Sequence, residues 1–274
     1  MRLLRGGMER MKLGFIGCGN MAGAMIGGIL GNHLMEREEI IASTSKEESR
    51  RKVQEKFGIC TTLNNREVAE QAEVLVLAVK PQYYEEVITE IRDRVTEEQI
   101  IVSIAPGKTL QWLEQTFGKP LKLVRCMPNT PALVGAGITG VCRNDRIKDG
   151  ELEKVCGILR SCGEVEVLSE HLMDVVVSVS GSSPAYVFMF IEAMADAAVA
   201  DGMPRAQAYK FASWAILGSA KMVLETGKHP GELKDMVCSP AGTTIEAVRV
   251  LEEKGFRSAV IEAMKACVEK GRKM

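Results

Sequence analysis

Two short stretches place residue types that could do chemistry at meaningful spacing. The first is Gly14-Phe15-Ile16-Gly17-Cys18-Gly19-Asn20-Met21-Ala22, which follows an apolar run and opens a helical one. In a strand–turn–helix of this kind Gly17 permits the tight turn and Gly19 lets the backbone approach a pyrophosphate. Ala22 allows the helix to pack closely on the strand. The free N–H groups at the helix start then face the anion. Which dinucleotide is taken should be read at the end of the second strand. An acid there would bind the ribose hydroxyls of NAD and repel the phosphate of NADP. Ser43-Thr44-Ser45-Lys46 instead offers hydroxyls and a cation, so NADPH is expected and NADH is less favoured. Glu47 and Glu48 fit a following helix start, where acids are stabilising. Two further loops, Ala78-Val79-Lys80-Pro81 and Ser103-Ile104-Ala105-Pro106-Gly107, leave carboxyl ends of strands, where ligands of open α/β sheets bind. Lys80 taken alone reads equally well as a solvated strand end.

The second stretch is Ser239-Pro240-Ala241-Gly242-Thr243-Thr244. Here Ser239 reads as an N-cap and Pro240 as the first helical residue. Gly242 removes side-chain bulk, and the hydroxyls of Thr243 and Thr244 join free backbone N–H groups. The result is a cradle suited to a carboxylate, to which the helix end contributes ~0.3–2 kcal/mol. An ordinary capped helix has the same sequence, so residue types alone leave both readings open. No Ser/His/Asp set is visible. The three histidines, His33, His171 and His229, and eight cysteines without a CxxC pair give no zinc-type spacing.

The elements that must position these stretches fall into two groups. Up to about residue 168, short apolar runs alternate with helical segments. Residues 12–17, 39–43, 74–80, 100–105 and 121–126 read as buried strands, with a further pair around 137–142 and 164–168. Between them, 22–30, 46–57, 83–94 and 109–117 read as helices, which implies a Rossmann-type, parallel-rich sheet covered on both faces. From Ser169 onward the pattern is all-α, with helices expected at 184–201, 204–225, 240–253 and 256–270, three of them opening on proline. The expected division is an extension over 1–10, a dinucleotide domain over 11–168 and a helical domain over 169–274. The segment Ala185 to Ala200 is apolar nearly all round, so it needs cover on several sides. A second copy of the chain is the expected cover, and Trp112, Trp214 and the Met/Phe run 188–190 are expected in the core.

Bulk composition excludes several alternatives. The chain has 274 residues, a formal net charge of −1 and 5% aromatics, which gives no general pull toward nucleic acid or anionic lipid. No uninterrupted apolar run reaches the ~18 residues of a membrane span. The basic opening MRLLRGGMER has no apolar h-region, so it is not read as a secretory signal. Unpaired cysteines in apolar runs fit a reducing cytoplasm.

From Met11 onward the chain resembles pyrroline-5-carboxylate reductases. The pieces that carry the resemblance are GFIGCGNMA (14–22), AVKP (78–81), RCMPNTPALVGAG (125–137), SGSSPAYVF (180–188), DGMPR (201–205) and HPGELKDMVCSPAGTTI (229–245). The resemblance implies a Rossmann domain followed by a helical domain that interlocks with its twin in a homodimer, and in some members a ring of dimers. It implies NADPH-dependent reduction of 1-pyrroline-5-carboxylate to L-proline, the last step of proline biosynthesis. Nucleotide contacts carried over from the family fall on Gly17, Cys18, Gly19, Asn20, Met21, Ser43, Thr44, Ser45, Asn65, Ala78, Val79, Lys80, Pro81, Ile104 and Ala105. The substrate carboxylate falls on the Thr243-Thr244 helix start, with Ser239 and Gly242 also among the substrate-binding residues. The Thr244 hydroxyl is the implied catalytic partner of the ring nitrogen, and Glu170 matches a position that can approach substrate. Two departures stand out, since the family commonly has glycine where this chain has Ser183 and Ala241. Met236 replaces a residue that is polar in some relatives. Two rival functions are a β-hydroxyacid dehydrogenase-like enzyme, which would need a helical-domain lysine such as Lys210, Lys221 or Lys234, and a non-catalytic NADP-binding regulator.

Overall fold

A computed structural model describes residues 13–272. The basic opening segment therefore lies outside the described residues. Eight strands form one sheet: β1 (Leu13–Ile16), β2 (Ile40–Ser43), β3 (Cys60–Thr62), β4 (Val74–Leu77), β5 (Ile100–Ser103), β6 (Lys122–Met127), β7 (Gly137–Arg143) and β8 (Gly163–Val167). Their order is β3-β2-β1-β4-β5-β6-β7-β8, parallel throughout except for the β6–β7 pair. The first six follow the order of a doubly wound nucleotide-binding sheet.

Helices α1 (Asn20–Gly31), α2 (Glu47–Phe57), α3 (Asn65–Gln71), α4 (Tyr84–Ile91), α5 (Leu110–Phe117) and α6 (Asp149–Leu159) cover both faces. Strand period decides which side chain meets which layer. Leu13, Phe15, Val74 and Val76 join one buried cluster with α1 and α6, while Ile16, Leu75 and Leu77 join the other with α4 and α5. After β8 come α7 (Met173–Val176) and a π-helical turn over Val177–Gly181. Four longer helices and one shorter helix follow: α8 (Ser183–Ala200), α9 (Arg205–Thr226), α10 (Pro230–Val237), α11 (Thr243–Glu253) and α12 (Phe256–Gly271). Among the described residues, packing divides the chain into one compact unit over 13–181 with 268–272, and a second over 182–267.

Several expectations need correction. Strand β3 and helices α3, α6 and α10 did not emerge from periodicity. Ser239 is not the N-cap of α11, nor is Pro240 its first residue. The helix begins at Thr243, with Gly242 as N-cap. Pro204 likewise caps α9 from outside instead of opening it. Trp214, Phe188, Met189 and Phe190 are exposed within a single chain instead of being core residues, whereas Trp112 packs partly buried against the sheet-unit core. Helical continuity from Glu170 to Ala200 also makes one span apolar and long enough to cross a bilayer, which a search for unbroken apolar runs does not reveal.

Candidate active site

The turn from β1 to α1 is built by two glycines with different jobs. Gly17 has φ +85, and a Cβ there would lie 2.7 Å from Val79 Cγ1 and 3.0 Å from Ala78 O. Only glycine fits both the left-handed backbone and the close approach of the β4 loop. At Gly19 a Cβ would meet nothing within 4 Å. The fold itself therefore does not require glycine there, and the open space lies at the amino end of a twelve-residue helix. The first i→i−4 bond of α1 runs from Gly23 N–H to Gly19 O (2.9 Å), so the N–H groups of Asn20, Met21 and Ala22 precede the ladder. No side chain caps this end and no acid lies in its first turn. An anion of pyrophosphate size fits these donors. Cys18 is half-buried, and burial pushes its thiol up to about 11, with Lys56 opposing the shift only in part. The thiol is therefore a neutral, unreactive group at the turn.

The end of β2 divides the four residues expected to read the dinucleotide. Ser43 is fully buried, and its hydroxyl donates to Asn65 Oδ1 (2.7 Å). Asn65 Nδ2 in turn donates to Glu90 Oε2 (2.7 Å). The Thr44 hydroxyl, also buried, donates to Lys46 O (3.1 Å). Only Ser45 and Lys46 present exposed side chains. Glu47 and Glu48 open α2 as expected of acids at a helix start. Hydrogen bonds from Arg50 and Arg51 hold the Glu47 carboxyl down at about 2.

The ends of β4 and β5 lie beside this turn. Ala78 N–H donates to Ile16 O (2.8 Å) and Gly17 N–H to Ser43 O (3.2 Å), which knits the carboxyl ends of β1, β2 and β4 together. Lys80 is exposed and Pro81 starts a 3₁₀ turn leading into α4. Tyr84, the first residue of α4, was not singled out by sequence reasoning. It is fully buried beneath these loops. Two adjacent tyrosines give no hint of this, since Tyr83 is half exposed.

Glu170 lies in the first unit, in a 3₁₀ turn after β8. Its Oε1 accepts from Leu110 N–H at 2.7 Å and from Arg125 Nη1 at 3.1 Å. Arg125, inside β6, is buried, and Asp174 Oδ1 stands 3.6 Å from its Nη2. Asn129 works alongside it, donating from Nδ2 to Ser180 O (3.1 Å) and accepting from Ile138 N–H (3.0 Å). The RCMPN run thus anchors the segment 170–181 from two points.

In the second unit, the start of α11 is shaped by a turn in which Gly242 N–H donates to Ser239 O (3.0 Å). A Cβ on Gly242 would press on Ser239 O at 3.1 Å. Ala241 has φ +57, a left-handed conformation that a glycine adopts without strain. Gly242 offers no side-chain cap, so the N–H groups of Thr243, Thr244 and Ile245 remain outside the helical ladder. Thr243 is exposed and Thr244 half-buried. Met236 is exposed on α10. His229 is the N-cap of α10, its Nδ1 accepting from Gly231 N–H (3.0 Å). Among the described residues no His/Cys/Asp/Glu group could hold a metal.

Family models match both parts of the chain. Residues 170–274 match the family described as pyrroline-5-carboxylate reductase dimerisation, and residues 12–107 match NADP oxidoreductase, coenzyme F420-dependent. The chain is 54% identical over 267 residues to the pyrroline-5-carboxylate reductase of Escherichia coli (strain K12), covering 97% of this chain and 99% of that one. It is 37% identical over 268 residues to that of Arabidopsis thaliana, covering 97% and 96%. A crystal structure of Plasmodium falciparum pyrroline carboxylate reductase with NADP bound superposes with a TM-score of 0.89 at 32% identity, covering 97% and 99%. By identity along nearly its whole length, this chain belongs to the pyrroline-5-carboxylate reductase family.

Proposed function

We propose that the protein reduces 1-pyrroline-5-carboxylate to L-proline with NADPH, closing proline biosynthesis. The observation that carries the reading is the uncapped start of α11, Gly242-Thr243-Thr244. It is a carboxylate-sized cradle in a chain that also has a phosphate-binding turn at Gly17–Met21. Bound NADPH supplies hydride to the imine carbon. The residues of the chain need only bind and orient, because a protonated C=N is already electrophilic. Near-attack positioning of this kind is worth ~7–11 kcal/mol in favourable cases. The N–H groups and hydroxyls at Thr243 and Thr244 take the carboxylate, and the Thr244 hydroxyl orients or helps protonate the ring nitrogen. Ser45 and Lys46 meet the ribose phosphate, while Ser43 and Asn65 act from behind by fixing the end of β2. Glu170 supports this reading as an organiser of the 170–181 segment, which we take as the start of the helical domain from near residue 169 although it packs with the sheet unit.

The protein is a homo-oligomer of the family's dimerising type. We extend this to a dimer through α8 and α9 that can assemble further into a ring. The apolar span Glu170–Ala200 is on this reading covered by the partner and not by lipid. The protein works in the cytoplasm, without nucleic acid. Lys210 and Lys221 are exposed, and Lys221 and Lys234 stand beside Glu225 (3.4 Å) and Asp235 (2.5 Å), which supports reading all three as solvated and not as the general acid of a hydroxyacid dehydrogenase.

The test is NADPH oxidation by purified protein with 1-pyrroline-5-carboxylate, beside β-hydroxyacids and a substrate-free control. Thr244→Val is expected to lower kcat at least about tenfold, the equivalent of a lost ~1.4 kcal/mol, with NADPH affinity intact. Unchanged steady-state constants would remove Thr244 from the mechanism. Absence of substrate-dependent oxidation in the wild type would favour the regulator reading.

A further inference from the structure

Tyr84 occupies a place where a phenol is chemically conspicuous. It is fully buried within the cluster that joins β4, β5, α4 and α5. A buried phenol requires polar partners, and this one has a full set. Its hydroxyl donates to Leu77 O, the last residue of β4. It accepts from Ser103 Oγ and from Ile104 N–H, each at 3.3 Å. One donor and two lone pairs are thereby used. Burial pushes the phenol above its usual range, so it stays neutral and keeps its donor proton.

These partners stand at one level of the sheet. Leu77 immediately precedes Ala78–Pro81, and Ser103 and Ile104 lead into the β5 loop. The direct ladder is stretched at this level, since Ile104 N–H reaches Leu77 O at only 3.5 Å. The phenol bridges the gap where the two strands begin to part. The 3₁₀ turn at Pro81–Tyr83, closed by Tyr83 N–H to Lys80 O (2.9 Å), returns the chain so that Tyr84 lies under the loop that leads to it.

We infer that Tyr84 is a positioning residue for the dinucleotide, its hydroxyl fixing the spacing of the Ala78–Pro81 and Ile104–Ala105 loops and hence the affinity for NADPH. This rests on the reading that those loops receive the cofactor. Tyr84 is fully buried and its hydroxyl is engaged by Leu77, Ser103 and Ile104, so its loss should act on the cofactor loops and not on substrate binding.

The test compares wild type, Tyr84→Phe and Ile88→Val by calorimetric titration with NADPH, thermal unfolding and steady-state kinetics. Ile88 is buried one helical turn along the same face but meets neither loop through a hydrogen bond. Tyr84→Phe is expected to raise the Kd and KM for NADPH about 5- to 20-fold, with KM for 1-pyrroline-5-carboxylate changed by less than about twofold. Ile88→Val is expected to lower Tm while leaving the NADPH Kd unchanged. The inference is overturned if Tyr84→Phe binds NADPH within about twofold of wild type, or if Ile88→Val weakens binding as much. If Tyr84→Phe does not fold, Ser103→Ala removes one of the three contacts. It should weaken NADPH about 2- to 5-fold, and unchanged affinity there overturns the inference. A wild-type protein that binds no NADPH would overturn the cofactor reading and this inference with it, a result distinguishable because it appears without any substitution.

Discussion

Glu170→Ala should cost more stability than Arg125→Met, although the arginine is the more deeply buried of the pair. The Arg125 side chain is 2% exposed, whereas those of Glu170 and Asp174 are 31% and 33% exposed. Removing the Glu170 carboxylate leaves a sealed cation with Asp174 at 3.6 Å, too far for a good hydrogen bond. Among the described residues Arg125 Nε and Nη2 already lack hydrogen-bond partners. Leu110 N–H, at the start of α5, also loses its 2.7 Å acceptor. Breaking a buried pair on one side costs ~3–5 kcal/mol. Water admitted from the exposed carboxylate side recovers part of that, so ~2–3 kcal/mol is expected. Arg125→Met removes the cation and keeps most of the volume. Both acids can rehydrate, and Glu170 keeps the Leu110 bond, so the cost should be ~0–1.5 kcal/mol. The double variant should recover much of the Glu170→Ala loss, since no unpaired cation remains. Urea unfolding at one protomer concentration, with equal m-values, measures all three. An Arg125→Met loss equal to or larger than that of Glu170→Ala would refute the assignment of Arg125 as the costly partner.

Two further outcomes follow from backbone geometry. Gly19→Val should leave Tm nearly unchanged, because its side chain enters open space, yet weaken NADPH more than about tenfold; calorimetric titration checks this, and undiminished affinity would place the phosphates elsewhere. Ala241→Gly should raise stability by ~0.5–1 kcal/mol, since relief of ~1–2 kcal/mol of left-handed strain exceeds the ~0.4–1 kcal/mol of added unfolded-state entropy. A lower Tm in that variant would show that the Ala241 conformation is not strained.

Much of this site can be read in residue types, and the exceptions share a cause. Strands such as Val74–Leu77 are continuous apolar runs because helices cover both faces of a parallel sheet, so they announce themselves. Cys60–Thr62 has only three residues and an exposed pattern, and Asn65–Gln71 is a polar helix of seven, too short for a period to show. The glycine turn is legible because φ +85 at Gly17 leaves few residue choices. The orientation of Ser43 is not legible, because a hydroxyl at a strand end can face phosphate or protein equally well. Its hydrogen bond to Asn65, 22 residues away, is a long-range fact. The same holds for Tyr84 and for Arg125, which sequence presents only as a member of a motif. Ser-Pro mimics a cap, so residue types start the helix ending at Glu253 three residues before its actual first residue, Thr243. The strained Ala241 actually ends that turn, and Gly242 is the cap.

The two units differ in what holds them together. The sheet unit encloses two apolar clusters of its own. In the helical unit α8 buries only Ala195 among its described residues, while Trp214 is 66% exposed and Leu224 83% exposed. A helix that is apolar on every side cannot remain uncovered in water. The match to a dimerisation family fits cover by a second copy of the chain, the assembly proposed above. The glycine turn therefore draws its rigidity from a core inside one chain, whereas on the proposed dimer the α11 start would draw on a core completed by association. On that reading, linkage predicts that the integrity of the α11 start, and not that of the Gly17–Met21 turn, rises with protomer concentration.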